Sequence, residues 1–567
     1  MKRRMSRLLL TILLAAILIG TLAGCKNETG RNEANNEEFS IPLEPLGKYP
    51  APVTLTSFFS IATVMLDEFQ EEMVKESYFN RRQEEMLNIF IDYLWYAPGT
   101  ANDAGQKINM AIASGEIPDF MVVNETQLAM LSKTDLINKE IGDIFLNYAS
   151  DELKDWFFAD DNDAWDSVTY DGKTIALYAK GAAINNAAIL WIRKDWLDKL
   201  ELKVPETMEE LYQVMIAFQE KDPDGNGIDD TYGMALQKDY MVCAGVACAG
   251  GVFNSFGANP GIWIEGENGL EYGSVAEGAR EAVAFLAKAY ADGLIVEDFA
   301  SMDGNQASQD VTAGKIGILY GASWNPMYPL NHSVARDPYA DWIAVPVPQP
   351  VKGRIPRPQR DASGEYLFVV SAACEHPEAV VKLLNFYVEM YTNQEEYEKC
   401  CHDGVVDQIA GVSGFPQHFV MLKQYDPRKE MKAHDALTNA LKTGETKGMT
   451  AEEMEYYELS KAYLEEGNPN GFGAYRVYGP TDSAYAVIDY YDRNRMYVSD
   501  RFTRARTPAM IQKMSIVDDK ILEFYTKVIL GVESIEQFDR FLREVNELGL
   551  ADITSEVNKW YLSKSRR

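Results

Sequence analysis

Two hydrophobic periods alternate along this chain, and that alternation limits what it can fold into more than any other feature. Val53–Phe59 has strand character, residues 65–90 read as amphipathic helix, and Ile89–Tyr96 is a second apolar run closed by Pro98 and Gly99. Asn102–Ser114 sets Ile108 and Ile112 on one helical face and stops at Gly115, and Phe120–Val123 is a short buried strand after Pro118. Strands separated by helices build an α/β architecture, for which a largely parallel sheet is expected. The pattern resumes with a strand at Ala187–Ile192, helices at Arg193–Leu200 and Glu206–Glu220, a helix at Ala276–Asp292 and a strand at Ile316–Tyr320. Prolines 346, 348, 350, 356 and 358 punctuate a crossover from Val345 to Arg360. A strand at Tyr366–Ser371 and a helix from Pro377 to Met390 follow, and the remainder of the chain is helix-rich.

The amino terminus carries a different signal. Lys2, Arg3, Arg4 and Arg7 precede the apolar run Leu8–Gly20, and Leu22-Ala23-Gly24-Cys25 follows. A basic start, a short apolar run and small residues at a cleavage point describe a secretory signal over residues 1–24. The run is shorter than the ~20 apolar residues that a spanning helix needs. Its ending resembles a bacterial lipobox, which implies cleavage before Cys25 and a diacylglycerol on the Cys25 sulfur. Residues 25–48 are polar and rich in Asn and Glu, as in a flexible tether. The formal net charge of −32 repels nucleic acid and anionic head groups, so the lipid is the only membrane attachment expected.

One local motif points to a metal. In Asp222-Pro-Asp224-Gly-Asn226-Gly227-Ile228-Asp229-Asp230, oxygen side chains stand at positions 1, 3, 5 and 9, with Gly at 6. That is the first nine places of an EF-hand calcium loop, in which alternate side chains and the position-7 carbonyl (here Ile228) converge on one hard cation. Position 12 is Gly233, so the bidentate Glu is missing and weaker binding is expected. A solvated Asx-rich turn is the alternative.

Catalytic signatures are lacking. His332, His376, His402, His418 and His434 show no metal-ligand spacing, and neither a nucleophile elbow nor a phosphate loop occurs. Cys243, Cys248, Cys374, Cys400 and Cys401 are expected as buried thiols, with a Cys243–Cys248 bridge as the alternative. The basic cluster Lys352, Arg354, Arg357 and Arg360 could meet an anionic sugar, or form a solvated crossover loop.

The blocks "SGEIPDFMVV", "DGKTIALYAKGAAINNAAILWIRKDWLDKL", "PETMEELYQVMIAFQEKDPDGNGIDDTYG", "GKIGILYGASWNP" and "FYTKVILGVESIEQFDRFLREVNELGLADITSEVNKWY" resemble, in order, the family 1 extracellular solute-binding lipoproteins of bacterial ABC sugar importers. The resemblance implies a two-lobed, periplasmic-binding-protein-like fold similar in plan to maltose-binding protein, with a helix-rich carboxyl-terminal part. Residues 49–187 and 350–425 would form one lobe, and 188–349 and 426–567 the other. Hinge crossings would fall near Ala183–Ala188, Val345–Gln349 and residues 420–430. It also implies a monomer on the extracytoplasmic face of the membrane that passes a carbohydrate to ABC permease subunits. A secreted polysaccharide-active enzyme and a structural surface lipoprotein are the rival classes.

Open α/β sheets bind ligands beyond the carboxyl ends of their strands, which singles out Asn124 and Glu125 after Phe120–Val123. Asn186 stands at the first crossing, and Trp324 resembles the family's cleft tryptophan in its Gly-x-x-Trp setting. Trp263, in a Gly-flanked loop, completes the set as an aromatic face for sugar C–H patches. A helix cap for Asn124, a hinge hydrogen bond for Asn186 and core packing for the tryptophans are the alternatives.

Overall fold

The computed structural model describes residues 41–61, 69–98, 101–159, 163–179, 187–242, 245–360, 366–404, 419–424 and 426–564. The signal segment, Cys25, most of the tether, Asn186 and Cys243 lie outside the described residues.

Local chemistry explains the elements. Thr207 accepts from the Glu210 amide while the Glu210 carboxylate accepts from the Thr207 amide, a reciprocal cap that starts helix Met208–Glu220. That helix buries Leu211, Met215 and Phe218 completely, each contributing about 1.5–3 kcal/mol. Gly317 lets the following strand approach: a Cβ there would lie 2.3 Å from the Phe218 ring and 2.6 Å from Trp196. The single helix expected over residues 65–90 is instead two within the described part, Glu71–Glu76 and Tyr78–Leu87. Ser77 breaks it, with ψ of 143°, and then caps the second helix by accepting from the Asn80 amide.

Strand pairing departs from the parallel expectation. Val53–Ile61 and Ile89–Pro98 pair in parallel. Elsewhere Tyr366–Val370 lies antiparallel between Phe120–Val123 and Leu177–Ala179. Likewise Ile189–Arg193 lies antiparallel between Ile318–Gly321 and Trp342–Val345. The parallel preference belongs to a direct strand–helix–strand unit. Here the partners arrive after long helical excursions, so direction follows from where each excursion ends. Parallel bridges survive at Tyr232–Ile316 and Met234–Ile295.

Two separate hydrophobic cores result. One takes residues from Tyr49 to Ala179 and from Leu367 to Leu422. The other takes residues from Ala187 to Val347 and from Ala433 to Val557. The chain therefore passes between cores after Ala179, after Val347 and after Leu422. The stretch before Arg360, expected with the first lobe, lies against the second. The Arg357 amide donates to the Asn254 carbonyl, and Gln359–Arg360 pairs with Val498–Ser499.

Cys248 is disulfide-bonded, against the expectation of a free thiol, while Cys374, Cys400 and Cys401 are free. Among the described residues no helix is long and apolar enough to cross a membrane.

Candidate ligand-binding cleft

A cavity of about 570 Å³ opens between the two cores. Val123, Asn124, Glu125, Thr126 and Leu367 line it from the first. The second contributes Trp263, Tyr272 and a run of side chains between Asp500 and Asp518. Pairing of Gln359–Arg360 with Val498–Ser499 holds the start of that run, and Thr507 caps helix Pro508–Ile529, which carries its later members Met510, Met514 and Asp518.

Three of the expected site residues meet here. Asn124 follows strand Phe120–Val123 and caps helix Glu125–Leu131: its Oδ1 accepts from the Gln127 amide at 2.9 Å, and Gln127 Oε1 accepts from the Asn124 amide at 3.0 Å. Glu125 Oε2 accepts from Arg506 Nε at 2.6 Å, an ion pair that spans the cleft. Trp263 lines the wall but is only 3% exposed, packed on Tyr272 at a centroid distance of 5.3 Å. Trp324 stands apart from this cavity, 43% exposed in the turn after strand Ile318–Gly321. The cluster around Arg354 also lies elsewhere, with Arg354 paired to Glu281.

The polar lining is largely engaged. Asp500 Oδ1 accepts from the amides of Trp263 and Phe502. Asp518 accepts from the Tyr272 hydroxyl at 2.8 Å, and burial pushes its carboxyl above the usual range. Burial, then the nearby Glu125 carboxylate, pushes the Tyr170 phenol up to about 12, while Arg506 and Arg504 oppose the shift. Phe502, Met510 and Met514 supply an apolar floor. Arg504, Arg506, Asp500 and Asp518 escaped the reading of the sequence. The signal that marks them is Arg501-Phe-Thr-Arg504-Ala-Arg506, three cations just before the helix-starting Pro508 in an acidic chain.

The loop at Asp222 folds into a tight turn with Gly225 and Gly227 at φ of 75° and 77°. Asp222 accepts from the amides of Gly225, Asn226 and Gly227, and Asn226 Nδ2 bridges Asp224 and Asp230. Two carboxylates, Asp224 and Asp230, thus meet at one side-chain amide, while Asp222 is engaged by backbone amides. No cluster of three or more acidic, His or Cys side chains placed to hold a metal occurs among the described residues.

The family model for bacterial extracellular solute-binding proteins matches residues 89–390, more than half of the chain. The chain belongs to this family. Among relatives of this solute-binding protein, Lipoprotein LipO of Bacillus subtilis (strain 168) is 29% identical over 326 residues, covering 56% of this chain and 57% of LipO. The polygalacturonan/rhamnogalacturonan-binding protein YtcQ of the same organism is 27% identical over 320 residues, again 56% of this chain and 57% of YtcQ. The chain thus matches little more than half the length of these relatives. The fold is that of a solved structure of the S. pneumoniae ABC-transporter substrate-binding protein FusA in complex with kestose. That likeness has a TM-score of 0.62 at 16% identity, over 90% of this chain and 99% of FusA. A FusA EF-hand mutant in complex with fructo-nystose gives a TM-score of 0.60 at 16% identity and the same coverage. The solute-binding protein has the two-lobed periplasmic-binding-protein fold.

Proposed function

We propose that this protein is a lipid-anchored receptor, not an enzyme, that captures an oligosaccharide between its two cores and delivers it to the permease subunits of an ABC importer. The observation that carries this is a cavity lined from both cores and bridged by Glu125 and Arg506. A site shared by two lobes couples ligand binding to lobe closure, which is the signal a permease can read. The family assignment supports the class, and the kestose complex of FusA supports carbohydrate as its ligand type. Diacylglycerol on Cys25 would hold the receptor at the extracytoplasmic face of the membrane, as a monomer on a flexible tether.

Trp324 remains our candidate for a second, exposed stacking face, and Asn186 for a polar contact at the first crossing. Calcium would be held by Asp222, Asp224, Asn226, the Ile228 carbonyl and Asp230. Its chemistry there is structural: it would neutralise carboxylates crowded in one turn. Asp224 is the member most in need of it, since burial and then Asp222 raise its carboxyl above the usual range.

A thermal-shift and calorimetric screen against neutral and acidic oligosaccharides, with product analysis, tests the reading. Stabilisation by a glycan without turnover is expected. Turnover would establish a polysaccharide-active enzyme instead, and the lack of any shift a structural lipoprotein.

A further inference from the structure

The charged groups lining the cavity are unequal in their engagement. Glu125 is paired with Arg506, Asp500 accepts from two backbone amides, and Asp518 accepts from the Tyr272 hydroxyl. Arg504 is different. It faces the cavity, is exposed, and makes no hydrogen bond or ion pair with a described residue. This unspent cation stands in a chain of net charge −32, where acidic partners are abundant. Two residues away Arg506 already seats one carboxylate, that of Glu125, so this wall is shaped to receive such a group. The floor beside it, Phe502, Met510 and Met514, offers apolar contact to a sugar ring and no competing charge.

Resting on the receptor reading above, we propose that the cleft selects acidic oligosaccharides, with Arg504 taking a uronate carboxylate of the bound sugar. A guanidinium presents parallel N–H donors that match the two oxygens of a carboxylate. A neutral hydroxyl would satisfy only one of them and leave the charge unmet. Arg506 would then keep Glu125 across the cleft, so that one arginine reads the ligand and its neighbour joins the lobes.

The test uses the full mature chain and calorimetric titration with uronate trisaccharides as free acids and as methyl esters, alongside neutral trisaccharides and a phosphorylated sugar. The expected result is binding of at least one free acid about tenfold or more tighter than its ester. Arg504→Gln should erase that preference while the melting temperature holds, and Arg501→Gln, on the same segment but paired with Glu265 outside the cavity, should retain it. Equal affinity for acid and ester, or preference for neutral or phosphorylated sugars, overturns the proposal and leaves the receptor reading standing. Failure of every glycan in the set to bind overturns both.

Discussion

Glu125 and Arg506, 381 residues apart in sequence, meet at 2.6 Å across the cleft and tie one core to the other. Both side chains keep solvent access, 44% and 37%, so the pair is worth about 0–1 kcal/mol. That is too little to hold the fold and enough to bias a closing equilibrium. Glu125→Gln should weaken ligand binding by up to about fivefold, because it removes part of what favours the closed arrangement. Its melting temperature should stay within about 2 °C of the parent. A large loss of stability in thermal unfolding would show that the pair supports folding instead.

Tyr391 and Glu452 make a second link between the cores, far better shielded. The Glu452 carboxylate accepts from the hydroxyls of Tyr391 at 2.6 Å and Tyr456 at 2.8 Å, and pairs with Lys429 at 2.8 Å. Removing the charge leaves the semi-buried Lys429 with the longer contact to Glu430 at 3.7 Å, at a cost of about 1–3 kcal/mol. Glu452→Gln should therefore lower the midpoint of urea unfolding markedly.

The same group sets a pH dependence. Burial alone raises the Glu452 carboxyl, but Lys429 and the two phenols outweigh it and hold the folded value below the usual range. A depressed carboxylate adds stability that is fully present above its unfolded pKa of about 4.3 and is lost as pH falls through the folded value. The gap in unfolding free energy between the parent and Glu452→Gln should narrow over that acid window. A gap independent of pH would remove Glu452 as its source.

For the metal loop, a chelator should lower the melting temperature and added calcium restore it. Asp224→Ala should abolish the difference while sugar affinity stays nearly intact. Identical melting curves with and without chelator would exclude calcium from this turn.

Trp324 separates stacking from packing. Being 43% exposed, it has little stability to lose. Trp324→Ala should cost about 1–3 kcal/mol of binding, a 5- to 150-fold rise in Kd, with a small change in melting temperature. Undiminished affinity in the folded variant would place the sugar elsewhere.

Much of the architecture was legible in the residues themselves. Strand Phe120–Val123 falls at the expected positions, and helices Met208–Glu220, Glu277–Ala291 and Pro377–Thr392 fall within two residues of theirs. These elements obey period and capping, which are properties of adjacent residues. Ser77 was missed because a serine suits either a helix interior or a cap, and only the packing around it decides. Strand direction was beyond local reading as well: Ile189–Arg193 chooses antiparallel partners delivered by distant segments. The cleft shows the same division. Asn124 and Glu125 could be found from their place after a strand, whereas the cation run around Arg504 and Arg506 carried no indication of which strand it would face. Their role depends on a tertiary fold that carries a loop near the end of the chain to the mouth of a strand near its beginning. Pattern specifies which segments are helix and strand and which faces are apolar. Which charges confront one another across a gap is settled only when the two cores have closed around it.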